Sequence, residues 1–124
     1  METQQIWVGR MGAKNGFDNS DFVVVEFTGE QLGYWRHSED PWDNRGTDYR
    51  IFSTEDGRIL IHLIHWSRWQ GEDTFANILE FPSFKDAIKA GWRKVLENAG
   101  AIPRRVTSLR KWREWRRGQN ADVE

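Results

Sequence analysis

Cysteine is absent from the chain, which removes disulfide scaffolds, thiol nucleophiles and cysteine-ligated zinc together. Proline occurs three times, and there is no internal repeat or low-complexity stretch at which to divide the chain. No segment approaches membrane-spanning apolar length, and METQQIWVGRMGAK lacks the uninterrupted apolar run of a secretory signal. The expected location is therefore the cytoplasm, with no membrane partner. HExxH, DxDxDG, P-loop and GxSxG motifs are all missing, which leans against an enzyme and implies no cofactor. An excess of one charge is missing too, since the formal net charge is -1.

What is present fits one domain. A chain of 124 residues, 38% hydrophobic and 30% charged, is long enough for one core and too short for two. The expected unit is 1–118, with 119–124 as a frayed tail. Tryptophan is over-used, at 8 residues. The near-zero net charge conceals a segregation: residues 1–84 hold 7 basic and 14 acidic side chains, residues 85–124 hold 11 and 5. An acidic region of −7 thus precedes a basic end of +6.

Periodicity suggests a sheet followed by helices. Ile6–Val8 reads as a short strand and 9–19 as a loop. In DFVVVEFT, Val23, Val25 and Phe27 alternate with Phe22, Val24 and Glu26, a strand ended by a turn at Thr28-Gly29-Glu30. Leu32–His37 reads as the next strand, and 38–48 as a charged loop carrying Trp42. Tyr49–Ser53 and Arg58–Trp66 form a hairpin around Glu55-Asp56-Gly57. Both faces of the second arm are apolar, so it should be central and covered on two sides. Thr74–Phe81 returns as a strand.

Beyond Pro82 the period becomes helical. Ser83 and Asp86 resemble a capping box, and Phe84, Ile88, Gly91, Trp92, Val95 and Ala99 share a face of one helix ending at Gly100. A second helix should start near Pro103 and end at Gly118. The expected fold is α+β: an antiparallel sheet of about five strands followed by two C-terminal helices.

The last helix carries the main functional signal. Arg110, Arg113 and Arg117 fall in one arc, while Val106, Leu109, Trp112 and Trp115 spread over the adjoining half-turn. Arginine forks engage phosphates and indoles stack on bases, so Arg105, Arg110, Arg113, Arg116, Arg117, Trp112 and Trp115 are candidate contacts to nucleic acid or a nucleoprotein. The competing reading docks Val106, Leu109 and Trp112 on the sheet and leaves the arginines as a charged coat. Trp66 and Trp92 read as core. Trp35, Trp42 and Trp69 sit among polar residues, as exposed binding rings or as plugs over the sheet edge.

Three other function classes remain open. An acidic surface with Asp40, Asp43, Asp48, Glu55 and Asp56 could mimic a phosphate backbone against a partner's basic groove. His37 or His65 with a nearby carboxylate could serve a small hydrolase. His37 with Glu39, Asp40 and Asp43 could also hold a divalent cation. His62 and His65, three apart on a strand, point to opposite faces and cannot chelate together. The loop tryptophans could instead stack on sugars.

Phe27-Thr28-Gly29, Leu32, Trp35, Tyr49-Arg50-Ile51-Phe52, Gly57-Arg58, His62 and Trp66 resemble the core of the small bacterial EXLDI proteins, over about the middle third of the chain. The naming motif of that family and its helical N-terminal segment are absent here. The resemblance implies a bacterial or phage origin, compatible with a mobile-element accessory role, and a related sheet. It implies no activity.

Overall fold

The computed structural model describes residues 1–124 except 15, 16, 19, 40, 41, 43, 70 and 122–124. Five strands form a closed antiparallel barrel in chain order: β1 (Glu2–Met11), β4 (Asp21–Ser38), β5 (Arg45–Thr54), β6 (Ile59–Ser67) and β7 (Thr74–Phe81). Two short strands, β2 (Ala13–Lys14) and β3 (Phe17–Asp18), pair where a plain loop was expected. The helices are α1 (Phe84–Lys89), α2 (Arg93–Asn98) and α3 (Leu109–Ala121). The α+β class and the sheet of five main strands agree with the sequence; closure into a barrel is additional. Among the described residues no helix is long and apolar enough to cross a membrane.

Five antiparallel steps cannot close a ring of straight strands, because the fifth strand would meet the first in parallel. Yet β7 meets β1 antiparallel, through Gly9↔Ala76 to Met11↔Thr74. Closure requires a strand that turns, and β4 supplies it. Its first half pairs with β1, from Asp21↔Arg10 to Gly29↔Glu2, and its second half with β5, from Gly29↔Thr54 to Ser38↔Gly46.

The turn expected at Thr28-Gly29-Glu30 is thus absent, and one strand of 18 residues replaces two. Gly29 stays in the strand because it lies against β5, where a Cβ would meet the Ser53 carbonyl at 2.4 Å. A bulge between Gln31 and Gly33 then redirects the chain.

The hairpin reading of β5 and β6 holds, with the chain reversing at Glu55-Asp56-Gly57. All five residues from Ile59 to Leu63 are buried, as a strand covered on both sides requires. One face of β6 looks into the barrel, where Leu60 packs with Ile6, Phe52, Val25, Phe27 and Ile78. The opposite face carries Ile59, Ile61 and Leu63, which pack with Ile51 under Ala87, Leu96 and Ala99 of the helical layer.

That layer is broken where one helix was expected. Ser83 caps α1 as the sequence suggests, its Oγ accepting from the Asp86 N–H at 3.2 Å and donating to Asp86 Oδ2 at 2.7 Å. Gly91 then adopts φ 101°, outside helical space, and α2 restarts at Arg93. The break lets Trp92 and Val95 join Phe84 and Ile88 against the sheet. Gly100 ends α2 with φ 77°, as expected for a C′ residue.

Pro103 does not open the last helix, and Gly118 does not end it. The segment after Ile102 is irregular until Ser108, whose Oγ accepts from the Lys111 N–H at 3.1 Å. From there α3 runs past Gly118 to Ala121, so the tail expected from 119 begins in helix.

Candidate nucleic-acid interface

The elements that build the barrel leave α3 outside it. Every residue from Pro103 to Gln119 is exposed. Leu109 is 67% exposed, Trp115 53%, Val106 45% and Trp112 37%, so the docked alternative for this helix does not describe the fold. With no core to serve, its side chains are available for an external ligand.

Charge on α3 is nearly of one sign. Arg104 and Arg105 precede the helix, and Arg110, Lys111, Arg113, Arg116 and Arg117 lie on it against the single carboxylate of Glu114. None of the ion pairs among the described residues involves these cations. Helical spacing aligns Arg110, Arg113 and Arg117 in a ridge about 10 Å long. Arg116 leaves the ridge and lies 5.3 Å from the Trp112 ring centroid. This contact holds a guanidinium over the indole on the neighbouring face. Phosphate contact and ring stacking are thus offered on adjacent faces of one helix.

The tryptophans expected nearer the N-terminus divide. Trp42 is 78% exposed and Trp69 51%. Trp35 is a plug: it stacks on Tyr49 at 5.3 Å and 15°, touches the His37 ring at 5.0 Å, and packs against the cluster beneath the helices. Its neighbours in sequence are polar because β4 shows them to solvent, while the bulge after Gln31 turns Trp35 to the side of Ile51 and Tyr49, under the helical layer. Trp92 meets Tyr49 edge-on and closes the same layer. Trp66 is half-buried between Arg36 and Arg68, 5.2 and 5.5 Å from its ring.

Asp48 is occupied inside the protein. It is 7% exposed, accepts from Arg36 Nε at 2.9 Å and Nη2 at 3.0 Å, and accepts from Trp66 Nε1 at 2.9 Å. Burial opposes its ionisation, but the bonds from Arg36 and Trp66 and the Arg36 charge outweigh burial and hold it below the ordinary carboxylate range. The same pair raises Arg36 further above its ordinary value. Asp48 therefore cannot help imitate a phosphate backbone. Glu55 and Asp56 remain exposed at the β5–β6 turn, while Asp40 and Asp43 lie outside the described residues.

The histidines point to opposite faces of β6, as alternation requires. His62 is 1% exposed inside the barrel, its Nε2 2.8 Å from the Trp7 carbonyl and its Nδ1 without a partner. Desolvation pushes its pKa below the ordinary 6.5. His65 lies on the outer side, its Nδ1 2.8 Å from the hydroxyl of buried Thr47, which donates to Glu39 Oε1 at 3.3 Å. This carboxylate–hydroxyl–imidazole chain orders one ring nitrogen and leaves Nε2 for other contacts. It was not legible in the sequence, because Thr47 joins His65 only through the β5–β6 register. His37 lies against Trp35 instead. Among the described residues no three His, Asp or Glu side chains gather as a metal site.

No protein-family model matches the chain, and no curated protein or solved structure does so either. Its function has to be read from its own residues.

Proposed function

We propose that this protein is a non-catalytic nucleic-acid-binding or nucleoprotein-binding module that grips its ligand through α3. The observation that supports this reading is the exposure of a basic, tryptophan-bearing helix that lies outside the packed core. A helix with side chains is about 10–12 Å across, and a DNA major groove is about 12 Å wide. A helix free on every flank suits such a groove, with Arg110, Arg113 and Arg117 directed to phosphates or guanine edges. Trp112 and Trp115 can stack on unpaired bases, and Trp42 and Trp69 offer further exposed rings.

Fluorescence anisotropy with double- and single-stranded oligonucleotides at low salt tests the proposal. Wild type should bind with affinity that falls steeply with salt, because each neutralised phosphate releases counterions. Replacing Arg110, Arg113 and Arg117 by alanine should weaken binding at least tenfold and flatten the salt dependence by about 2–3 units of slope. Equal binding by both proteins, or by neither, removes the ridge from the mechanism.

A further inference from the structure

The first half of β4 has β1 on one side and no strand on the other. Pairing with β5 begins only at Gly29, so 21–28 leave a free edge. The Thr28 carbonyl faces that side, since it accepts from the Glu55 N–H at 3.0 Å. Peptide groups alternate along a strand, so those of Phe22, Val24 and Glu26 face the same way. Among the described residues no partner strand meets them.

Natural edge strands are commonly protected by lysine, proline or a bulge. This one has none of the three between Asp21 and Thr28: the register with β1 is uninterrupted, and Asp21 and Glu26 are its charged residues. Instead it exposes apolar side chains on both faces, Val23 at 63%, Val24 at 59% and Phe22 at 43%. Beside it the barrel interior opens in a mouth of about 560 Å³ lined by Val25, Phe27, Leu60 and Ile78.

We infer that this edge pairs antiparallel with the same edge of a second copy, about a two-fold axis at Val24. The strand itself argues for that occupant. Only a register centred on Val24 brings all three outward groups to outward groups, as Phe22–Glu26, Val24–Val24 and Glu26–Phe22. Each is a bonded pair with two hydrogen bonds. In the same register Val23 of each copy lies beside Val25 of the other, at the open mouth, and Asp21 falls opposite Phe27. No like charges stand directly opposite one another in this register. An isologous contact of this kind closes on itself and yields a dimer rather than a fibre. The inference is independent of what α3 binds.

Sedimentation velocity across a concentration series tests it with two variants at an exposed position. Wild type should show a monomer–dimer equilibrium. Val24→Lys and Val24→Glu each place like charges across the axis and should weaken dimerisation at least tenfold, with unchanged circular dichroism. Mixing them should restore a dimer containing one copy of each. The amides of Phe22, Val24 and Glu26 should exchange slowly in the wild-type dimer and quickly in either variant alone. A wild type monomeric at its highest soluble concentration overturns the inference, even if it captures an extended peptide from another source. Variants that dimerise as well as wild type, or a mixture that stays monomeric, overturn it too.

Discussion

His62 is the polar residue that the barrel interior holds most closely. Its Nε2–H can donate to the Trp7 carbonyl, tying β6 to β1, while burial and the nearby Arg50 charge suit the neutral ring. Because burial lowers its pKa in the folded state, the unfolded chain takes up this proton first as pH falls. Stability should therefore decline as pH drops below the ordinary 6.5 toward the lower folded value. Urea unfolding between about pH 7.5 and about pH 5 measures this. His62→Gln retains an amide donor without a titrating ring, so its stability should change less over that window; equal slopes would assign the effect elsewhere. Alternation identified the face of His62, but its partner lies 55 positions away and depends on barrel closure.

Two elements depart from local periodicity, and glycine in a particular environment accounts for each. In β4, Gly29 looks like a turn former in sequence, yet both Gly29 and Gly33 serve close approach. A Cβ on Gly33 would meet the Ala99 carbonyl at 2.2 Å, where the Tyr34 N–H bonds that same carbonyl at 2.9 Å and docks the helical layer. Gly91 has the opposite history: helical spacing places it on a packed face, but its φ of 101° ends α1. Gly91→Ala should cost about 1–2 kcal/mol by forcing an L side chain into that backbone region. The Cβ itself would meet open space, so thermal unfolding should report backbone strain without a clash. An unchanged melting temperature would show that the chain can bridge α1 and α2 another way.

Taken whole, the molecule is an acidic barrel with its own core and a basic helix that adds no buried surface. Ending the chain after Pro103 keeps Ala101 and Ile102, which pack on the core, and among the described residues removes only exposed ones. The shortened protein should keep its strand circular dichroism and melt within a few degrees of the full chain, since surface residues contribute within about 0.5 kcal/mol each. It should also lose oligonucleotide binding. A large drop in melting temperature would mean that α3 supports the barrel.

Side-chain order alone determined the β5–β6 hairpin, the two-faced burial of β6, the strand Thr74–Phe81, the Ser83 cap and the charge division between barrel and tail. These features depend on residues close in sequence or on composition, and steric alternation transmits them directly. Tertiary structure decided that β4 runs through its glycines, that Trp35 lies under the helical layer, that Asp48 is shared by Arg36 and Trp66, and that Thr47 joins His65 to Glu39. Each is set by a neighbouring strand or by the helical layer, distant in sequence. The same basic, amphipathic sequence could have docked α3 on the sheet; in the fold α1 and α2 cover the face of Ile59, Ile61 and Leu63, and α3 remains in solvent.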